Sequence, residues 1–542
     1  MPRVIRRTLL SLALGISVTG ISAFGQSAAS SPSEQRTSRA LEAARKNPLV
    51  LHALIEKMPK GADLHMHLSG AIYAETFLRD AAADLLCVNL AKIKFDKNVG
   101  TSKSLPAQAV CAEGSVPAAD VFKNQELYKS LIDTFSMRSF VPASGRSGHD
   151  QFFDTFGHFG GVEKSHVGEW LDEVASRAAA QNEQYLEIME TPSFSAAAKL
   201  GYQIGWPART ASARVSAEDD LTGTSPAELS KLRDQLLAAG LRDEVATDRR
   251  EYADALADRN QIEHCSQSDA KGGCSVAIRF IFQILRSFPP QQVFAQTLLG
   301  FEVASVDPDV VGLNFVQPED DYMAMSEYHR QMRMLDYLHS VYPKVHISLH
   351  AGELAPGLVT PEGLRFHIRE AIDLGHAERI GHGVDVMYED DPQALLKEMA
   401  DRHVMAEINL TSNDGILGVK APFHPLPNYR AAHVPVALST DDEGVSRIDM
   451  THEYTRAVME YGLTYPELKD MVRTGLEHSF LAGESLWQQQ DRFTSVNTAC
   501  AGQPIGADEP KGKCVEFLKN SDKAMQQWQL EHRFHIFESN VQ

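Results

Sequence analysis

Eight short runs rich in β-branched and other apolar residues recur along this chain, and helix-patterned stretches separate them. The runs are GADLHMHL (61–68), QYLEIME (184–190), VAIRFIFQIL (276–285), VVGLNFV (310–316), VHISLHA (345–351), RIGHGVD (379–385), MAEINLT (405–411) and VPVALST (434–440). Between them, MSEYHRQMRMLDYLHSVY (325–342) and TPEGLRFHIREAIDL (360–374) carry apolar residues at helical spacing. Alternating strands and helices call for parallel strands joined by crossover helices. Eight such units fit an α/β fold of the (β/α)8 TIM-type barrel better than an open doubly wound sheet. Neither GxGxxG nor GxxxxGK[ST] occurs, so the nucleotide-binding open-sheet folds lack their fingerprints.

The barrel is expected over residues 61–490. Insertions at about 86–150 and 202–275 break its rhythm with Lys, Ser, Pro and Gly or with polar helix-like sequence. Residues 26–60 form an N-terminal helical extension, with helical spacing over 38–58, and 491–542 form a C-terminal extension. Residues 1–25 read as an export signal peptide. Arg3, Arg6 and Arg7 open it, an apolar run Leu9–Val18 follows, and Ala23-Phe24-Gly25 supplies small residues for cleavage. A membrane anchor is the alternative, but the run is short and diluted by Ser and Thr, so no stable anchor is expected after cleavage. Arg6-Arg7-Thr8-Leu9-Leu10 also suits a twin-arginine route. The expected location is therefore periplasmic or extracellular. All six cysteines follow the signal, and neighbours in sequence are the favoured pairs: 87/111, 265/274 and 500/514. The formal net charge of −20 argues against a nucleic-acid partner.

In a barrel of this kind, reacting groups stand at the C-terminal strand ends. The first run ends in His65-Met66-His67, whose i, i+2 spacing on a strand puts both imidazoles on one face. The fifth ends in LHAGE, with His350 and Glu353. The sixth carries His382 in GHG, and the eighth ends in STDD, with Asp441 and Asp442. Three histidines and a carboxylate suit Zn²⁺ and leave one position open for water. Taken singly, each residue has a structural explanation, as a strand-closing polar group, a helix cap or a turn. Taken together, on the ends of separate strands, they point to one site.

The stretches MPKGADLHMHLSGA (58–71), SLHAGE (348–353), RIGHGVD (379–385), EINLTSN (407–413) and LSTDDEG (438–444) resemble the adenosine deaminase family of metal-dependent amidohydrolases, most closely its secreted, growth-factor-like branch. The likeness covers about residues 40–490. It implies one Zn²⁺ per chain, held by His65, His67, His350 and Asp441. It further implies that Glu353 donates a proton to purine N1, that His382 orients or deprotonates the attacking water, and that Asp442 accepts a hydrogen bond at N7. The implied reaction converts adenosine, and 2'-deoxyadenosine, to inosine and ammonia. Three positions depart from the family pattern. Ser69 stands where an aspartate often reaches the ribose, Gln317 where a glycine commonly offers its N–H to N3, and Glu443 where proline is usual. Ser69 and Gln317 remain expected substrate-binding positions. They leave open a different aminopurine or a modified nucleoside as substrate. A nucleoside-binding or signalling protein with weak catalysis is a third reading. The expected partner is a small purine nucleoside, with no nucleic acid, and the chain is compatible with a homodimer.

Overall fold

The computed structural model describes residues 31–102, 107–142, 145–162, 164–207 and 221–541. The expected signal peptide at 1–25 lies outside the described residues. Eight parallel strands follow one another around a ring in chain order: β1 (Gly61–His67), β2 (Glu183–Glu190), β3 (Ala277–Leu285), β4 (Val310–Val316), β5 (His346–Ala351), β6 (Arg379–His382), β7 (Met405–Ile408) and β8 (Val436–Leu438). Most strand residues are buried, as parallel strands covered by crossover helices must be. The ring closes where Met66 of β1 bridges Asp441, just beyond β8, and the Asp441 N–H donates to the His65 carbonyl at 2.9 Å.

Several boundaries differ from the sequence expectation. β6 stops at His382, three residues early, because His382 and Gly383 both turn to positive φ, 69° and 55°. β7 stops at Ile408, and the expected strand residues Leu410-Thr411 begin a helix, Leu410–Leu417. The helical stretch 38–58 falls in two helices, Pro32–Ala44 and Pro48–Lys57. Pro48 has no N–H to continue the first helix, and the Asn47 side chain caps the second by accepting from Leu49 and Val50.

The first insertion holds a small antiparallel sheet, Cys87–Asn89 between Lys94–Asp96 and Ser115–Pro117, tied by the Cys87–Cys111 disulfide. A helix, Gly148–Phe159, starts inside the expected insertion and runs past its boundary at 150. The second insertion holds helices Pro226–Ala238 and Leu241–Ile262, and Cys265–Cys274 closes the return to β3. Cys500–Cys514 is the third disulfide, so all three join the expected neighbours. The C-terminal extension is built into the barrel's own core. Its helix Asp522–Asn540 buries Leu530, Phe534 and Phe537 in the same hydrophobic cluster as the strands. Among the described residues, no helix is long and apolar enough to cross a membrane.

Candidate active site

His65 and His67 leave β1 on one face, as their spacing requires, and meet His350 from β5 and Asp441 from the end of β8 at the mouth of the barrel. His67 Nε2 lies 3.1 Å from His350 Nε2 and 3.4 Å from Asp441 Oδ1, and His65 Nε2 lies 3.5 Å from that same oxygen. Ligand atoms about 2.0–2.1 Å from a tetrahedral ion stand roughly 3.3 Å apart, so these separations fit one.

The hydrogen bonds around the rings support the same conclusion. Glu407 can only accept, so it fixes a proton on His65 Nδ1 at 2.7 Å. Asn314 Oδ1 accepts from both the N–H and Nδ1 of His350, at 3.0 and 2.9 Å. Gln283 spends its Nε2 on Thr191, which leaves Oε1 to accept from His67 Nδ1. All three Nε2 atoms thus carry lone pairs, and His65 Nε2 is buried without a hydrogen-bond partner. A cation at their centre relieves that arrangement. Each ligand is also braced from behind, as metal-bound imidazoles and carboxylates usually are. Ser412 donates to Asp441 Oδ2 at 2.7 Å, and Arg379, fully buried, sits 2.6 Å from both Glu407 and Glu187. Two glycines make room for these contacts. A Cβ at Gly381 would meet His65 Cε1 at 2.5 Å, and one at Gly70 would overlap Asp442 Oδ1 at 1.4 Å.

His382 belongs to the same cluster but stands further out, its Nε2 3.7 Å from Glu353 Oε1 and 3.9 Å from Asp441 Oδ2. Asn413 donates its amide N–H to His424 and turns its oxygen to His382 Nδ1 at 2.9 Å, so the His382 lone pair is on Nε2, facing the site. Burial lowers the His382 pKa, which keeps the ring neutral. Burial, then the charges of Asp441 and Glu319, raise the Glu353 carboxyl well above its ordinary range. Burial, Asp441 and Glu353 do the same to Asp442, whose Oδ1 has no partner. Burial and the neighbouring carboxylates thus favour the protonated form of both acids. N7 of a purine carries a lone pair and no hydrogen, so Asp442 could serve it only as a donor, in its protonated form, and not as the acceptor that the resemblance implies.

These groups open into a cavity of about 340 Å³, within the range of small-molecule sites. Ser69 and Gln317 line it, as do His67, His350, Glu353, His382, Asp441 and Asp442. One wall was not foreseen from sequence: Phe152, Phe153 and Phe156, projecting from the helix Gly148–Phe159. The only sequence signal was their i, i+1, i+4 spacing, which any helix packed on a core can show. Glu407, Ser412 and Asn413 lay within a quoted run, EINLTSN, but nothing in spacing assigns them to His65, Asp441 and His382.

Residues 250–492 match the family described as adenosine deaminase. The adenosine deaminases of Escherichia coli strains SE11 and K12 are each 38% identical to this chain over 140 residues, which cover 26% of this chain and 39% of theirs. The chain thus spans less than half the length of the curated relatives it matches. Among solved structures, the N6-methyl-AMP deaminase from Arabidopsis thaliana aligns at 20% identity over 80% of this chain and 94% of that one, with a TM-score of 0.48. The Arabidopsis ADAL structure complexed with IMP aligns at 19% identity over 79% and 93%, with a TM-score of 0.49.

Proposed function

We propose that this chain, whose residues 250–492 match the adenosine deaminase family, is a zinc-dependent hydrolase that deaminates adenosine, and 2'-deoxyadenosine, to inosine and ammonia. One observation carries the reading: the His65–His67–His350–Asp441 cluster, the Glu353 and Asp442 carboxyls and the His382 imidazole converge on one cavity. A zinc ion held by His65, His67, His350 and Asp441 would supply, when bound, a water whose pKa falls to about 7.

The side chains account for the rest of the chemistry. Addition at purine C6 breaks the ring's aromaticity and moves an electron pair onto N1. The Glu353 proton, delivered to N1 as the bond forms, stabilises the tetrahedral carbon. The Nε2 lone pair of His382 accepts the proton of the attacking water, and Asn413 holds the ring in that tautomer. Asp442 donates to N7 and fixes the ring's orientation. The amino group then leaves as ammonia with the proton that His382 had accepted, and the C6 hydroxyl gives its proton to the Glu353 carboxylate as the carbonyl forms.

Among the described residues lining the cavity there is no Lys or Arg. A substrate phosphate would lack a cationic partner there, which favours a neutral nucleoside over a nucleotide. A second reading is an aminopurine or nucleoside with an added apolar group. It is favoured by Ser69 at the expected ribose position and by the Phe152–Phe153–Phe156 wall. Export to the periplasm or beyond belongs to the same proposal, supported by the sequence of residues 1–25 and by the three disulfides.

Ammonia release from adenosine, 2'-deoxyadenosine, adenine, AMP and N6- or 5'-modified adenosines tests the reading, with and without a chelator. Adenosine turnover should vanish on chelation and return with zinc, and the active protein should hold about one zinc per chain, since four ligands define one site. Full activity after complete demetallation would reject the metal assignment. Tight adenosine binding with no ammonia from any aminopurine would make the protein a binder.

A further inference from the structure

Glu319 lies two residues beyond Gln317, in the turn after β4, and its side chain is buried. Its carboxylate accepts the backbone N–H of Gly352 at 3.1 Å and of Glu353 at 2.8 Å, and His367 Nδ1 donates to it as well. Burial works against ionisation, but His367 and Arg286 outweigh it and hold Glu319 below its ordinary range, so the carboxylate is charged and accepts all three bonds. The two N–H groups are those of the proton donor and of the residue before it. Gly352 makes the corner between β5 and Glu353 at φ 76°. A side chain from the neighbouring loop therefore grips the two residues that aim the Glu353 carboxyl.

That loop is itself held. Gln317 stands at φ 87°, a conformation that residues other than glycine seldom adopt. Its carbonyl accepts from Arg286 Nε and Nη2 at 3.1 and 3.0 Å, and its Oε1 accepts the Ser287 N–H at 2.9 Å. Arg286 Nη1 donates in turn to the carbonyl of His350 at 3.2 Å. One buried guanidinium thus ties the turn after β4 to the end of β5, and a strained residue fixed from both its carbonyl and its side chain marks a functional constraint.

Resting on the deaminase reading, we propose that Glu319 is a positioning residue. It sets the Glu353 carboxyl over the reacting ring through the 352–353 backbone, and Arg286 fixes the turn that carries it. Glu319→Gln tests this in the full chain. The amide oxygen can keep one of the two N–H partners, while the other meets an N–H. Exchange of the Gly352 and Glu353 amide hydrogens should quicken. At unchanged zinc content, kcat should fall by about 10–100-fold, as expected for a misplaced catalytic group, with KM little changed. Glu319→Asp keeps the charge toward His367 but is one methylene too short to reach both N–H groups, and it should show the same split should the amide variant fail to fold. Unchanged exchange at 352–353 overturns the proposal, and so does faster exchange with wild-type kcat. Loss of zinc or of the folded state in both variants shows a structural role and overturns it too. If the wild type releases ammonia from no aminopurine, the deaminase reading fails, and the exchange measurement still decides whether Glu319 grips the segment.

Discussion

Three residues lining the cavity adopt left-handed backbone without being glycine: Gln317, His382 and Asp441, at φ 87°, 69° and 60°. Each such residue costs of order 1–3 kcal/mol unless its surroundings impose it; here His382 and Asp441 turn their side chains to the site, and Gln317 is fixed by Arg286 and Ser287. Glu353 shows most directly what a single side chain contributes. Glu353→Gln keeps shape and a hydrogen-bond donor but has no transferable proton. It should retain zinc and nucleoside binding while kcat drops by at least about 10²–10⁴. Since burial and neighbouring negative charge raise this carboxyl, the acid form persists to higher pH than in a free glutamate, and kcat/KM should decline on the alkaline side as the acid ionises. Wild-type turnover in the variant, at equal zinc, would refute the donor role. The convergence of His65, His67, His350, Glu353, His382, Asp441 and Asp442 was legible in the sequence because His, Glu and Asp at successive strand ends form a chemically unusual pattern. Asn314, Glu319 and Glu407 were not. Their meaning lies in contacts across strands far apart in sequence, and spacing along one strand carries no trace of those.

Elements differ in how clearly the sequence marks them. The strands were legible from their apolar runs, but their C-terminal ends were not. Asn409-Leu410-Thr411 has strand-like composition, yet the chain turns at Asn409 into the helix Leu410–Leu417, which carries Ser412 and Asn413 to Asp441 and His382. A second short helix, His367–Asp373, presents His367 to Glu319 and is pinned at its start by Glu389, which accepts the N–H groups of Ile368 at 2.6 Å and Arg369 at 3.3 Å. Burial pushes Glu389 up to about 7, and those N–H groups pull it back only in part. Unfolded, the same group titrates near 4.3. The native state therefore binds the extra proton between those values. The stability this contributes is complete below the unfolded pKa and is lost as pH rises through the folded one. Glu389→Gln has no such proton to lose. Between pH 5 and pH 8, urea unfolding should show the wild type losing more stability than the variant, by up to about 3 kcal/mol. Equal losses would show that Glu389 does not titrate in this window.

At the scale of the whole molecule, the staples and the barrel are separate. The disulfides join residues 24, 9 and 14 apart, and all three sit in the insertions and the C-terminal extension. The ring of strands is held by backbone pairing and apolar packing, with no disulfide among its described strands. Covalent staples on the excursions suit an oxidising compartment, in line with the proposed export. Protein from its native host should begin near Gln26 by mass spectrometry and should expose no labelled thiol before reduction. An intact Met1 in a soluble cytoplasmic fraction, or six free thiols, would contradict export. Barrel order was readable because alternating strands and helices permit few topologies. The role of the first insertion was not, because sequence shows an interruption without showing where its helix comes to rest.

The bridge between Met66 and Asp441 also has a consequence in time. His65 and His67 are among the first barrel residues to be synthesised, and Asp441 follows the last strand. At about 5–20 residues per second, roughly tens of seconds of synthesis separate them. The four residues proposed as ligands cannot meet until nearly all of the barrel exists, so metal would load among the last steps of maturation. If the chain crosses the membrane unfolded, it must find its ion outside. If it crosses folded, by the twin-arginine route, it carries one from the cytoplasm. Three imidazoles and a carboxylate accept several divalent ions. The compartment in which the ring closes would then decide, more than the ligands themselves, which metal the enzyme works with.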